Sequence, residues 1–367
     1  MKKQENNMTI KREIGSEFHV CNITEQFCEF FTDWQYFLTG RTALDNIIKD
    51  IKKNRNVKTA LLPAYCCHSM ALPFEDNNIE VSYYDIDLTD SYAIPTEIVD
   101  QKFDIIFAIN YFGINIETFE EKLKLFASYN KESIIIVDVT HSLFSEKTSF
   151  NIADYYFCSL RKWTGLLSGG MALKKDGVLS KPSKGVLEKF VSIRETAVKE
   201  KQEYLRNGKG EKFFLSKFAE AENLIEFDYA DYIMDSTSLR NFLTLDHKLL
   251  KTKRMSNFMY LAENSRVFLE KGLKPIVNNI IDEVPLVFPV IADTEEVRDS
   301  IRRHLISHDI YCPVHWPLPS DINCDYKAFD YSKRELSIVC DQRYDLNDMQ
   351  RIIEVIKEYK LNDNGSY

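Results

Sequence analysis

From about residue 40 the chain alternates short apolar runs with stretches whose apolar residues recur three and four apart, the pattern of strands and amphipathic helices in turn. Residues 59–62, 79–84, 105–110, 134–137, 155–158 and 170–173 read as buried or half-buried strands, with helices over 42–53 and 116–128 between some of them. Such alternation predicts an α/β domain whose six strands form one largely parallel sheet. After residue 174 the pattern becomes long, charged and helical, over 184–206, 211–227 and 246–271. A second α/β pattern then follows, with strands at 286–291 and 336–340 and helices at 295–308 and 346–359. The expected organisation is an N-terminal arm over 1–34, a large domain over 35–245 that includes long helices, and a small C-terminal α/β domain over 246–367.

Length and composition agree with two packed units. The 367 residues exceed what one core usually organises, and 44% hydrophobic with 28% charged residues suits a folded enzyme rather than a disordered chain. A net charge of −9 argues against nucleic acid as the partner and favours small-molecule chemistry. No apolar run approaches the ~18 residues of a membrane span, so no membrane role is expected. Eight cysteines lack C-x-x-C pairs, and no apolar signal segment follows the start, so reduced thiols in a cytoplasm are expected. No Cys and His spacing makes a zinc site, and no metal is assigned.

The chemistry concentrates at strand ends. Asp138-Val-Thr-His141 closes one apolar run, and Ser159-Leu-Arg-Lys162-Trp163 closes the next, followed by Gly169-Gly170. In open α/β sheets such ends converge on one ligand. A lysine amine adds to an aldehyde, and a carboxylate held against a pyridine nitrogen keeps it protonated; the pair suits pyridoxal 5′-phosphate (PLP). On this reading Lys162 carries the cofactor as a Schiff base, Asp138 holds the pyridinium, His141 meets the phenolic oxygen or the ring, and Ser159 reaches the phosphate. Gly40-Arg41-Thr42, a glycine turn entering a helix, offers a phosphate cradle.

The series Gly40-Arg41-Thr42-Ala43-Leu44, Leu62-Pro63-Ala64-Tyr65, Asn110-Tyr111-Phe112-Gly113, Asp138–His141, Ser159–Lys162 and Gly169-Gly170 resembles, in order and spacing, the DegT-like sugar aminotransferases. His315-Trp316-Pro317 looks like that family's His-Tyr-Pro segment, and Leu336-Ser337-Ile338 like its closing strand. The resemblance spans roughly residues 35–360. It implies PLP-dependent transferase fold type I, with a mostly parallel mixed sheet flanked by helices, a homodimer sharing its active site, glutamate as usual donor and keto-sugar nucleotides as usual acceptors. By position it gives catalytic Lys162 and Asp138, with Gly40, Arg41, Thr42, Cys67, His141 and Ser159 at the cofactor and His68 and His315 towards substrate. Cys67 stands where the family usually stacks an aromatic ring on the cofactor.

Blander roles compete for each residue. A lysine after a strand is usually a surface cation, an aspartate at a strand end usually caps a turn, and a histidine there is usually structural. Adjacent Cys66 and Cys67 suit small buried positions. Ser159-x-x-Lys162 also matches Ser–Lys acyl-enzyme hydrolases, but no Ser-Asp-Asn or Lys-Thr-Gly accompanies it. A PLP-fold regulator without turnover, and another PLP reaction such as a lyase, are the remaining alternatives.

Overall fold

A computed structural model describes residues 13–88, 102–208, 210–276, 283–316, 318, 322–323 and 325–360. Residues 1–12 of the expected arm, Pro317 and the last seven residues of the expected small domain lie outside them. The chain begins with β1 (Ile14–Gly15) and β2 (Gln35–Phe37). Thr39 then caps α1 (Gly40–Asn54): its hydroxyl accepts the Thr42 N–H at 3.2 Å, replacing a bond the first turn lacks. Ala43, Leu44, Ile47, Ile48 and Ile51 form the buried face of this helix.

The units β3 (Thr59–Pro63), α2 (His68–Asp76), β4 (Glu80–Tyr84), β5 (Ile105–Ile109), α3 (Ile116–Tyr129), β6 (Ile134–Asp138), β7 (Tyr155–Ser159) and β8 (Gly170–Lys174) complete a seven-stranded sheet. Its order is β2-β8-β7-β6-β5-β3-β4, with β8 antiparallel to β7 and β2 antiparallel to β8. The strands from β7 to β4 run parallel. All six strands expected from the apolar runs form, and β2 adds a seventh at the edge. Because β7, β6, β5 and β3 run parallel, Ser159, Asp138, Asn110 and Ala64 emerge at one edge of the sheet.

Beyond the sheet come α4 (Glu188–Asn207), α5 (Phe214–Phe227), α6 (Ser236–Leu243), α7 (His247–Glu263) and α8 (Ser265–Leu269). The expected 246–271 helix is therefore two helices, parted at Asn264, which caps both. A second sheet joins β9 (Leu273–Pro275), β10 (Phe288–Ala292) and, after α9 (Glu295–Ser307), β11 (Ile310–Tyr311) and α10 (Lys327–Arg334), the strand β12 (Glu335–Ile338). Its order is β12-β10-β9, all antiparallel, and α11 (Leu346–Glu358) packs with α7 behind it. One buried apolar cluster runs from Ile136 and Phe157 in the large sheet to Phe288 and Ile352 around the small one.

The segment after β1 is woven into the body. β1 pairs in parallel with β11, and Arg343 donates to the carbonyls of Gly15, Ser16 and Glu17 at 3.3, 3.2 and 3.2 Å. Lys201 of α4 donates to the Glu17 carbonyl at 2.6 Å, and Gly165 donates to the Val20 carbonyl at 3.0 Å. Much of the expected arm is thus a strap across three parts of the molecule.

Candidate active site

Lys162 ends a single 3-10 turn, Leu160–Lys162, that follows directly from β7. The turn is closed at its base, where Leu160 donates to the Gly169 carbonyl at 3.0 Å, and continues into the buried indole of Trp163. Thr140 knits this turn to the one after β6. Its hydroxyl accepts the Ser159 N–H at 3.0 Å, while its carbonyl accepts the Trp163 Nε1–H at 2.6 Å. The two strand-end motifs of the sequence are therefore one structural unit.

Lys162 is exposed on a cleft of about 610 Å³, which Ser159 and His315 also line. Among the described residues its Nζ makes no hydrogen bond or ion pair, and no hydrogen bond joins it to Ser159. Asp138 is 2% exposed and accepts the Thr140 N–H at 2.7 Å. Burial pushes its carboxyl up to about 6, against the opposing pull of the Thr140 hydrogen bonds and the Lys162 charge.

His141 is buried with its Nδ1 accepting the Phe112 N–H at 2.9 Å, which puts the ring proton on Nε2. Burial, reinforced by the nearby His315 and Lys162, holds its pKa well below the ordinary value, so the ring is neutral. Phe112 and Trp316 stack on it at 5.8 and 5.6 Å between centroids. His315 is fixed by its backbone N–H to Glu335 at 2.8 Å and by Nδ1 against the Ser337 hydroxyl at 2.8 Å, and its carbonyl accepts the Tyr65 hydroxyl.

Gly40 faces the same strand end. A Cβ there would lie 2.9 Å from the Ser159 Cβ, so only glycine lets helix α1 begin against β7. The cradle is narrower than the sequence suggests, because the Thr42 N–H is already capped by Thr39 and the Thr42 hydroxyl donates to the Tyr229 carbonyl at 2.8 Å. The Arg41 guanidinium turns away to the Ile225 carbonyl and Glu226. That leaves the backbone N–H groups of Gly40 and Arg41, which lie in the first turn of α1 where a helix offers its own amides no carbonyl. Cys67 caps α2 with its Sγ 2.8 Å from the Ser69 hydroxyl, and His68, the first residue of α2, is exposed. Neither lines the cleft, nor do Gly40, Arg41, Thr42, Asp138 and His141; of the expected site residues Ser159, Lys162 and His315 line it.

The sequence did not single out several residues that shape the cleft. Arg254 is fully buried, stacks 4.5 Å from the Trp163 ring centroid, and donates to Gln342 at 2.8 Å and to the Pro285 and Leu286 carbonyls at 3.2 and 2.7 Å. Gln342 in turn donates to the Trp163 carbonyl at 2.6 Å. Arg161 and Arg194 share the carboxylate of Glu222. A signal for the latter existed: Phe190, Arg194, Ala197 and Lys201 repeat at helical spacing on the buried face of α4, which marks the two cations as enclosed. Among the described residues no group of His, Cys, Asp and Glu could hold a metal ion.

No family model and no curated protein matches the chain. Solved structures do. A DegT DnrJ EryC1 StrS aminotransferase from Brucella abortus is 14% identical, covers 88% of this chain and 85% of its own, and superposes with a TM-score of 0.58. PseC of Helicobacter pylori, an aminotransferase involved in the biosynthesis of pseudoaminic acid, is 12% identical over 94% and 97% of the two chains, with a TM-score of 0.59. NtdA of Bacillus subtilis, solved with bound PMP, is 13% identical over 88% and 72%, with a TM-score of 0.61. With the strand order, the helices and the small second sheet, these likenesses give the chain PLP-dependent transferase fold type I.

Proposed function

We propose that the protein is a PLP-dependent aminotransferase that moves an amino group from an amino acid such as glutamate to a keto-sugar nucleotide or a related carbonyl compound. The observation that carries this reading is Lys162, a cleft-facing amine without a partner among the described residues, on the turn that Thr140 ties to the buried Asp138. A solved relative named as an aminotransferase of pseudoaminic acid biosynthesis, and another solved with PMP bound, support it.

The residues present fit the cofactor. Asp138 is a buried carboxylate with a raised pKa, a group that gains from a cationic N–H partner, and Gly40 lets the first turn of α1 start directly against Ser159, where a Cβ would clash. On this reading Asp138 holds the ring nitrogen's proton, His141 donates from Nε2 to the phenolic oxygen, and Ser159 with the Gly40 and Arg41 amides takes the phosphate. When bound, PLP supplies an electron-withdrawing ring that stabilises negative charge on the donor's Cα. Lys162 Nζ would hold the proton that leaves the donor's Cα, while His315, anchored to Glu335 and Ser337, borders the substrate. His68 and Cys67, outside the cleft of one chain, take part only if a partner subunit or substrate reaches α2.

Lys162→Ala tests the assignment. Titration with PLP followed by borohydride should fix the cofactor on Lys162 in the wild type and leave Lys162→Ala unlabelled, and donor-dependent loss of the cofactor's visible absorbance should vanish in the variant. Wild-type protein that takes up no PLP would overturn the reading.

The finer expectations belong to the same proposal. A homodimer is supported by the exposed Phe213 and Phe227 at the ends of α5, 65% and 93% exposed, and a solution mass of one 42.9 kDa chain would refute it. The free thiols of all cysteines among the described residues support a cytoplasmic location. No described helix is long and apolar enough to cross a membrane.

A further inference from the structure

Although the whole chain carries −9, the cleft beside Lys162 is locally cationic: five arginines and Lys162 line it against three carboxylates, Glu17, Glu222 and Asp341. Arg343 is held by Asp341 at 2.8 Å and by the strap carbonyls. Arg161 and Arg194 are different, because both hydrogen-bond the one carboxylate of Glu222, and their second counter-charge is only the half-exposed Glu17. The Arg194 side chain is 4% exposed, and the Nε atoms of both arginines are buried without a partner. The next carboxylate, Glu17 on the strap, stands 3.9 Å from Arg194 Nη2, too far for a hydrogen bond, and is itself 49% exposed.

We propose that Arg194, backed by Arg161 and Glu222, anchors a carboxylate of the amino donor, and that Glu17 is the resident carboxylate which the donor displaces. This inference rests on the aminotransferase reading for its choice of ligand. The site favours a carboxylate because the group that already approaches Arg194 from the cleft side is one. Two guanidiniums that hydrogen-bond only one carboxylate gain most from an anion that arrives with its own hydrogen-bond acceptors. Glu17 is held in place by its backbone, through Arg343 and Lys201, so its side chain can swing away without releasing the strap.

The test pairs kinetics with binding. In Arg194→Gln the Arg161–Glu222 pair is left balanced, the KM for a dicarboxylic donor should rise on the order of 10- to 100-fold, and the KM for the acceptor should hold. Glu17→Gln, on an exposed side chain, should lower the donor KM severalfold. Calorimetric titration of the PLP-loaded protein with succinate should show binding that weakens in Arg194→Gln and strengthens in Glu17→Gln. Titration with inorganic pyrophosphate, standing for an acceptor's phosphates, should be unaffected by either change. Unchanged succinate binding in both variants, or loss of pyrophosphate binding in its place, overturns the proposal. Succinate binding that follows the two variants in a protein that transaminates no donor leaves the anchor standing and refutes the aminotransferase reading instead. If Arg194→Gln does not fold, Glu17→Gln decides alone.

Discussion

Removing the charge of Asp138 should stabilise the protein without cofactor and weaken it with cofactor. In the fold this carboxyl titrates at about 6 instead of 3.8, because burial disfavours its ionised form. At 1.36 kcal/mol for each tenfold change in proton affinity, keeping Asp138 ionised at neutral pH costs the folded state about 3 kcal/mol. The sign follows from the raised value. The stabilising contribution of the protonated carboxyl is complete below pH 4 and is lost as pH rises through 6. Asp138→Asn keeps an acceptor for the Thr140 N–H and removes the charge, so it should escape this loss. Urea unfolding of cofactor-free protein should give equal stabilities for wild type and variant near pH 4. At pH 7.5 the variant should be more stable by about 2–3 kcal/mol. With PLP the order should reverse, since only a carboxylate compensates a protonated ring nitrogen, and turnover should fall with it. A variant less stable than wild type at pH 7.5 without cofactor would refute the reasoning.

Other substitutions probe the surrounding frame. Gly40→Ala drives a methyl to within 2.9 Å of the Ser159 Cβ and should cost about 1–3 kcal/mol in stability; equilibrium dialysis should show PLP affinity down at least about tenfold. Arg254→Met leaves Gln342 and the Pro285 and Leu286 carbonyls without their donor and strips the Trp163 face, so denaturant unfolding should report a loss of about 3–5 kcal/mol. Gly165→Ala places a Cβ 2.6 Å from the Val20 nitrogen and should push the strap off. Amide exchange in residues 13–20 should then quicken on the order of tenfold, with the sheet amides unchanged.

The apolar strands and their terminal Asp138, Ser159 and Lys162 were legible because short buried runs and their polar ends are local signals. β2 was not legible: Gln35–Phe37 is three residues long, and its place is set by antiparallel pairing with β8, which no local pattern announces. α6 could have been read from Asp235, whose carboxylate caps the Ser238 N–H at 2.8 Å, but its eight residues fall between two charged helices. The site divides in the same way. Thr140 could be suspected from its place between Asp138 and His141, whereas the stacking of Trp316 on His141 and the sharing of Glu222 by Arg161 and Arg194 join residues remote in sequence. The direction of the Arg41 side chain has a tertiary cause too, since α5 offers its guanidinium a carbonyl and Glu226.

The reversal of direction between β7 and β8 bears on how this chain tolerates change. Ser159 and Gly170 face each other in register, so the segment carrying Lys162 is a closed hairpin loop and not a crossover. A Cβ at Gly170 would strike the Thr39 carbonyl at 1.9 Å, which clamps the far end of that loop against the start of α1. Insertions or deletions between residues 160 and 169 would shift the lysine relative to Asp138, whereas length changes at the α4–α5 connection would leave that separation alone. Libraries built to alter substrate choice should therefore vary the connections beyond β8 and hold the lysine loop at fixed length.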